Sequence, residues 1–285
     1  MANIAFLGTG LLGSALAEAA AKRGDSVTVW NRSRDKADAL MAFGISVATT
    51  PAEAVKGATR VHLVLKDDAV VDEVLLAARS GLQSDAMILD HTTTLPSSTA
   101  QRSIALNSQG MNYLHCPVFM GPPAARSAQG SMMVAGPLAL FELAKTELAK
   151  MTGRLEYLGE RPDLAAVNKL FGNAMILGVS AMMADVLTIA QASDVTGDQA
   201  IKLLGMLDLN AMVAGRGVNM SKGNFDATFE LTMARKDVRL MLETTGTRPM
   251  AALPAIAARM DQLIASGHGA KDANVLGIDA VRRLR

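Results

Sequence analysis

Residues 4–13 read Ile4-Ala5-Phe6-Leu7-Gly8-Thr9-Gly10-Leu11-Leu12-Gly13, an apolar run followed by the pattern G-x-G-x-x-G and a helix-forming stretch. In this context Gly8 permits a tight turn, Gly10 allows a close backbone approach, and Gly13 lets a helix pack against a strand. The N–H groups that begin the helix can bind a pyrophosphate. The stretch therefore predicts a strand, turn and helix that bind a dinucleotide through Gly8, Thr9, Gly10, Leu11, Leu12 and Gly13.

A second segment, Asn31-Arg32-Ser33-Arg34, follows the predicted strand Ser26–Trp30. In dinucleotide-binding folds, residues at this distance along the chain from the glycine motif contact the adenosine ribose. Enzymes that use NAD usually carry an acid here, and an acid would repel a 2′-phosphate. Arginine pairs with a phosphate in a planar fork, and Ser33 adds a hydroxyl donor. We therefore expect NADP(H) as cofactor, in a site completed by Asn31, Arg32, Ser33, Leu65 and Lys66. The alternative is a basic turn in solvent.

The chain changes character near residue 160. Before it, short apolar or β-branched runs alternate with amphipathic runs, as in repeated βαβ units. After Gly159, stretches rich in Ala, Leu and Met carry helical spacing to the C-terminus. We predict an α/β fold with an N-terminal Rossmann domain of mostly parallel sheet at 1–160, and an all-α substrate and dimerisation domain at 161–285. Further strands are predicted at Arg60–Leu65, Ala86–Asp90, Tyr113–Val118, Met132–Ala135 and Leu155–Leu158.

The second domain should begin with one long helix, from about Pro162 to about Ser193. Apolar residues occupy nearly every face of this helix, which a surface helix cannot tolerate. We therefore expect it to be shared between subunits, in a homodimer or homotetramer.

Composition excludes several classes of function. Twenty-eight basic and 27 acidic residues give a net charge of +1, so no broad field attracts nucleic acid or an anionic membrane. The single cysteine, Cys116, excludes an intrachain disulfide and is typical of a cytoplasmic protein. The four histidines have no metal-ligand spacing, so we expect no metal. Lys169, Asn173 and Asp185 interrupt the most apolar helix, so we expect no membrane span.

Lys169 and Asn173 lie four residues apart on the long helix and therefore share a face, among apolar neighbours. Burial would lower the pKa of Lys169 toward the working pH, as a proton donor to a carbonyl oxygen requires, and Asn173 could orient the same oxygen. The alternative is that Lys169 extends to solvent at a helix edge, and spacing alone favours this alternative.

These residues belong to four short motifs, and together the motifs resemble the β-hydroxyacid dehydrogenases. This family contains 3-hydroxyisobutyrate dehydrogenase, tartronate semialdehyde reductase and the glyoxylate/succinic semialdehyde reductases. The resemblance covers essentially the whole chain, in order. Its motifs are the glycine loop Gly8–Gly13, the substrate segment Asp90-His91-Thr92-Thr93-Thr94-Leu95-Pro96, the catalytic segment Lys169-Leu170-Phe171-Gly172-Asn173, and the pair Lys236-Asp237.

The resemblance implies a role for each matching residue. Lys169 would be the general acid in reduction, and Asn173 would help position the substrate. Thr92 and Thr93 match positions that contact substrate or the nicotinamide side of the cofactor. Phe229 and Lys236 match positions that close over substrate and cofactor, respectively. The implied activity is hydride transfer between NADPH and a small aldehyde or keto acid of the semialdehyde or β-hydroxyacid class.

The sequence departs from the family's pattern where the substrate would bind. Relatives usually carry P-V-S-G-G, whose serine and glycines hold a substrate carboxylate, and here the run is Pro117-Val118-Phe119-Met120-Gly121. Gly172 also replaces an asparagine beside Asn173. If Phe119, Met120 and Gly121 line the pocket, it should favour bulkier, more apolar substrates. Two alternatives follow: an NADPH-dependent imine reductase, and a non-catalytic NADP-binding regulatory or scaffold protein, against which the presence of Lys169 and Asn173 argues.

Overall fold

The computed structural model describes residues 2–282. The strands are β1 (Asn3–Leu7), β2 (Ser26–Trp30), β3 (Ser46–Val47), β4 (Arg60–Leu63), β5 (Met87–Asp90), β6 (Asn112–His115), β7 (Val118–Phe119), β8 (Ser131–Val134) and β9 (Arg154–Tyr157). The helices of the N-terminal half are α1 (Leu11–Lys22), α2 (Arg34–Asp38), α3 (Pro51–Val55), α4 (Asp68–Ala78), α5 (Pro96–Ser108), α6 (Pro122–Arg126) and α7 (Leu138–Ala149). The rest are α8 (Leu164–Ala192), α9 (Gly197–Leu204), α10 (Leu209–Ser221), α11 (Leu231–Thr245), α12 (Leu253–Leu263) and α13 (Ile278–Arg282).

The predicted fold class is confirmed by a parallel sheet with the strand order β3-β2-β1-β4-β5-β6. The chain starts in the middle of this sheet, because β1 pairs with β2 on one side and β4 on the other. Parallel strands are buried on both faces, and accordingly Ala5, Phe6 and Leu7 of β1 are fully buried. Strand order reverses beside β1, and in such sheets ligands bind outside the carboxyl ends of the strands at that point.

One predicted strand is divided in the structure. We expected a single strand at Tyr113–Val118, whereas β6 ends at His115 and β7 begins at Val118 in a second, three-stranded sheet of order β7-β8-β9. Pro117 lies at the division, and it has no N–H with which to continue a ladder. Strand β7 pairs antiparallel with β8, so Phe119 is placed on the small sheet.

The chain divides into two compact units between Asn173 and Ala174, inside α8. The predicted boundary at residue 160 marks where strands end, since β9 finishes at Tyr157. The first turn of α8 packs with the N-terminal unit, where Ala165 joins Met133 and Ala135 in one buried cluster. The unit that begins at Ala174 has its own core on α11, α12 and the segment after them, with Leu231, Val238, Leu253 and Val275 buried.

Helix α8 is 29 residues long and contains an 18-residue window of mean hydropathy 1.6, so by length and composition it could cross a membrane. Every such window contains Lys169 or Asp185, because these two residues lie closer together than the window is long. The absence of a membrane span therefore stays a prediction. Asp185 nonetheless has the environment of a residue in a protein interior. It is buried, and its carboxylate accepts hydrogen bonds from the N–H groups of Ala251, Ala252 and Leu253 at the start of α12.

Candidate active site

The turn after β1 can be made only with glycine at two positions. Gly8 has a φ of 102°, and a Cβ there would lie 2.3 Å from the carbonyl oxygen of Val64. A Cβ on Gly13 would lie 2.1 Å from the carbonyl oxygen of Gly8. In contrast, a Cβ on Gly10 would meet nothing within 4 Å, so the space beside this residue is open. The turn is therefore closely packed at Gly8 and Gly13 and open at Gly10. A site that binds a ligand through its backbone N–H groups requires such an open side.

Helix α1 begins in this turn without a side-chain cap. Gly10 is its N-terminal capping residue and offers no acceptor, which leaves the first N–H groups without a side-chain partner. Leu11 is 84% exposed, and Leu12 packs against the core. The buried hydroxyl of Thr9 also has no partner among the described residues. The uncapped N–H groups and the open face of Gly10 fit a pyrophosphate.

The segment after β2 is fixed to this turn by one side chain. Asn31 accepts a hydrogen bond from the Thr9 N–H at 3.0 Å and donates one to the carbonyl oxygen of Ser33 at 2.9 Å. Arg32 and Ser33 therefore border the same cavity of about 330 Å³ as Gly8 and Gly10. Arg34 does not line this cavity and is paired with Asp38 at 3.4 Å. Of the predicted cofactor residues, those that line this cavity are Gly8, Gly10, Asn31, Arg32, Ser33, Leu65 and Lys66. Thr9, Leu11, Leu12 and Gly13 belong to the turn and the start of α1 and do not line it.

Sequence reasoning missed several residues of this cavity. Lys36 adds a third cation to Arg32 and Lys66, and Trp30, Val64 and Val74 form apolar walls. Glu73 of α4 also lines the cavity. Lys36 follows Arg32 by four residues, but a loop separates Arg32 from the helix, so helical spacing could not have placed them together.

The predicted substrate segment starts at a rigid point. Thr92 is buried, and its hydroxyl oxygen accepts a hydrogen bond from the N–H of Leu65 at 3.0 Å. Its own N–H donates to Asp90 Oδ1 at 2.9 Å, while Tyr113 donates its hydroxyl proton to Asp90 Oδ2 at 2.7 Å. His115 Nε2 lies 2.9 Å from the carbonyl oxygen of Thr92. Thr92 is therefore held beside the dinucleotide cavity with its hydroxyl proton available to donate, whereas Thr93 is exposed.

Three buried histidines surround the carboxyl ends of β4, β5 and β6. His91 Nδ1 donates to the carbonyl oxygen of Cys116 at 2.7 Å, because that oxygen can only accept. His62 Nδ1 lies 2.9 Å from His91 Nε2, and the His62 ring stacks between Phe6 and His91. Burial lowers the pKa of His62, His91 and His115. They are therefore neutral, and their hydrogen bonds fix which nitrogen carries the proton.

These histidines should make the protein less stable in mild acid. Their native pKa values lie below the unfolded value of about 6.5, so the unfolded chain binds protons first as the pH falls. Stability is complete above pH ~6.5 and should decline by up to ~4 kcal/mol per pH unit below it. Urea unfolding at steps between pH 7.5 and 5 measures this. Carboxylates contribute only nearer pH 4. A flat profile would contradict the assignment of neutral buried histidines.

Lys169 is half-buried and fixed, which removes the alternative that it extends to solvent. Its Nζ donates to the carbonyl oxygen of Val118 at 2.7 Å and lies 4.1 Å from the centroid of the Phe119 ring. Burial lowers the pKa of Lys169 from its usual value. One N–H of the ammonium is engaged by Val118, so the others remain to donate. The role of the Val118 carbonyl was not predicted, because backbone contacts between distant segments leave no signal in a sequence.

The remaining predicted residues are placed as follows. Asn173 is half-buried on the same face of α8 as Lys169, and its side chain makes no hydrogen bond with the part of the chain that the structure describes. Met120 is half-buried and Gly121 exposed at the start of α6. Phe229 and Lys236 belong to the second unit, where Phe229 is 38% exposed and Lys236 pairs with Asp237 at 2.9 Å. Their roles toward substrate and cofactor stay predictions.

The geometry of the N-terminal unit defines an NAD(P)-binding protein of the doubly wound class. A family model described as the NAD binding domain of 6-phosphogluconate dehydrogenase matches residues 3–159. The chain belongs to this family, and with it to the β-hydroxyacid dehydrogenases that the sequence resembles.

Known proteins similar over almost the whole chain include both carbonyl and imine reductases. Glyoxylate/succinic semialdehyde reductase 1 from Arabidopsis thaliana is 29% identical, over 88% of this chain and 89% of its own. Among solved structures, the imine reductase from Pseudomonas sp. is 20% identical, with a TM-score of 0.86 over 96% of this chain and 98% of its own. The imine reductase from Myxococcus stipitatus in complex with NADP+ is 20% identical, with a TM-score of 0.85 over the same shares. At these identities the solved structures support the fold alone.

Proposed function

We propose that the protein is an NADP(H)-dependent reductase that reduces a small aldehyde or keto acid, with Lys169 as the proton donor. The proposal rests on the placement of Lys169. Its side chain is half-buried, its ammonium donates a hydrogen bond to the Val118 carbonyl, and burial lowers its pKa. A lysine with no chemical role would be expected to keep its charge in water.

NADPH, held by the glycine turn and by Arg32, Ser33 and Lys36, would supply a hydride to the carbonyl carbon of the substrate. Negative charge then develops on the carbonyl oxygen, and the Lys169 ammonium neutralises it by donating a proton from Nζ. Asn173, on the same helix face, can donate an amide N–H to the same oxygen. Thr92 cannot shift, because Asp90, His115 and Leu65 hold it, and it keeps a hydroxyl proton to donate. In the oxidative direction Lys169 would act as the base, which its lowered pKa favours.

The preference for NADP(H) rests on the end of β2. Arg32, Ser33 and Lys36 border the cavity there, and Asn31 holds their segment against the glycine turn. A 2′-phosphate on the ribose would be bound by two cations and a hydroxyl, whereas a 2′-hydroxyl would leave the cations unused. Glu73 lies on the opposite element, α4, and is exposed, so it need not oppose the phosphate.

Imine reduction is the second candidate, and the observation that favours it is the apolar ring of Phe119 beside Lys169. A protonated imine already carries its proton, so its reduction requires no general acid. The presence of Lys169 keeps carbonyl reduction first. A non-catalytic NADP-binding role is third, because such a protein has no use for a half-buried proton donor.

Consumption of NADPH by the purified protein distinguishes these functions. The panel contains glyoxylate, succinic semialdehyde, an aromatic aldehyde and a cyclic imine, each also tested with NADH. We expect the highest kcat/KM with an aldehyde and NADPH. A best substrate among the imines would favour the second function, and no turnover with any compound, despite tight NADPH binding, would favour the third.

We also propose that α8 is covered by a second copy of the chain. Within the unit that begins at Ala174, its Met175, Ile176, Leu177, Val179 and Met183 are each at least 40% exposed, and Leu177 is 69% exposed. Soluble monomers rarely expose a contiguous apolar surface of this kind.

Sedimentation velocity at micromolar concentration should therefore report a dimer or tetramer. Leu177→Lys, in which a charge replaces the most exposed of these side chains, should shift the protein toward monomer. A matched change at Leu76→Lys on α4, which is 73% exposed, should not. A clean wild-type monomer would contradict the proposal, and flotation with lipid vesicles would show that lipid, rather than a second copy, covers the helix.

A further inference from the structure

The aromatic ring of Phe119 occupies a notch that exists only because residue 172 is glycine. A Cβ on Gly172 would lie 2.1 Å from Phe119 Cζ and 2.6 Å from Cε1. Real atoms do not approach so closely, so any side chain at position 172 would displace the ring. The tip of the Phe119 ring therefore points at the backbone of α8. Phe119 and Gly172, two of the positions at which the sequence departs from the family's pattern, are thus in direct contact.

The same ring contacts Lys169. Its centroid lies 4.1 Å from Lys169 Nζ, a cation–π distance, and the preceding residue, Val118, supplies the carbonyl oxygen that accepts from this ammonium. Positions 169 and 172 are neighbours on one helix face. One strand, β7, thus presents a carbonyl group and an aromatic face to the ammonium, and it is seated against the helix through Gly172.

This contact changes what the ammonium can bind. Part of its charge is already balanced by the Val118 oxygen and by the negative face of the ring. Position 119 itself offers no hydrogen-bond donor, and Phe119 packs with Leu158 and Leu164 around the buried Met133 and Ala135. A substrate carboxylate would therefore lose its water here without gaining a donor from position 119.

We propose that Phe119 and Gly172 form a coupled pair that determines specificity: it makes the region beside Lys169 apolar and selects bulkier, more apolar carbonyl compounds over the smallest carboxylated aldehydes, such as glyoxylate. The inference rests on the proposed reductase function for its catalytic part. Lys169 then donates a proton but does not anchor a carboxylate. The physical coupling between positions 119 and 172 stands independently of any activity, and the two parts are tested separately.

The coupling is tested by whether Gly172→Ala raises or lowers the urea midpoint in the wild-type protein and in the Phe119→Ala background. Gly172→Ala should lower the urea midpoint of the wild-type protein, because the new Cβ displaces the ring. In the Phe119→Ala background the ring is gone, and alanine is favoured over glycine inside a helix, so the same substitution should raise the midpoint. Gly178→Ala, where a Cβ meets nothing within 4 Å, is the matched control and should have the same sign in both backgrounds. Equal effects of Gly172→Ala in both backgrounds would overturn the coupling.

The specificity is tested by the ratio of kcat/KM for an aromatic aldehyde to kcat/KM for glyoxylate. Phe119→Ser, which supplies a hydroxyl and removes the ring, should lower this ratio by at least ~10-fold, the scale on which a single polar contact discriminates substrates. Phe119→Leu keeps the site apolar and should retain the wild-type preference. NADPH affinity should be the same in all three proteins.

An unchanged ratio in Phe119→Ser, with NADPH-dependent turnover intact, would overturn the specificity and leave the proposed function standing. If none of the proteins reduces any aldehyde, the proposed function fails and the specificity fails with it. The urea midpoints still decide the coupling in that case.

Discussion

Replacing Lys169 by alanine is expected to lower kcat for aldehyde reduction by at least ~10²-fold, the usual scale for losing a positioned general acid. The dissociation constant of NADPH should stay within a factor of two or so, because Lys169 is not among the residues that line the dinucleotide cavity. Steady-state kinetics with the best aldehyde, together with a fluorescence titration of NADPH, measure both quantities.

Lys145 provides a matched control for this substitution. It also lies over an aromatic ring, with its Nζ 5.7 Å from the centroid of Phe141, but it belongs to α7 and is exposed. Lys145→Ala should therefore leave kcat unchanged. Full activity in Lys169→Ala would remove the general-acid assignment and make an imine-type mechanism preferable. Loss of NADPH binding would instead indicate that the substitution disturbs the fold.

Replacing Arg32 by alanine is expected to weaken NADPH binding by about 10- to 100-fold, as the loss of a charge-assisted pair with a phosphate would. NADH carries no 2′-phosphate, so its affinity should change little. The wild-type protein should bind NADPH more tightly than NADH, and Arg32→Ala should reduce that preference.

Arg34→Ala serves as the control, since Arg34 lies two residues away, pairs with Asp38 and does not border the cavity. It should leave both affinities unchanged. If Arg32→Ala weakens NADPH and NADH equally, the arginine supports the loop rather than the phosphate. If the wild-type protein prefers NADH, the cofactor assignment is wrong.

Much of the fold could be predicted because local patterns determine it. Strand β2 was predicted with its observed bounds, and β1 was predicted as the strand before the glycine turn, since each is a short apolar run beside a turn. The helix predicted from about residue 162 to 193 is α8, Leu164–Ala192. The short β3 and β7 were not predicted as strands of their own, because two residues carry no periodicity and their pairing is decided by distant partners.

The site was predictable where one short segment makes it. The glycine turn and the Asn31–Ser33 segment each act through their own backbone and side chains, so their motifs were sufficient to bring them to one cavity. The hydrogen bonds that hold the site residues in place join residues far apart in sequence, such as His115 with Thr92 and Val118 with Lys169. These bonds depend on how β6 and β7 diverge at Pro117, which no motif encodes.

The pH dependence of kcat/KM for aldehyde reduction measures whether Lys169 supplies the proton. A protein that needs a protonated Lys169 should lose activity as the pH rises through the pKa of this lysine, and burial places that pKa below the usual value of about 10.4. We expect an alkaline limb with a midpoint below pH ~10.4 in the wild-type protein and in Lys145→Ala. The residual activity of Lys169→Ala should show no such limb. An identical limb in Lys169→Ala would rule out Lys169 as the general acid, because some other group would then supply the proton.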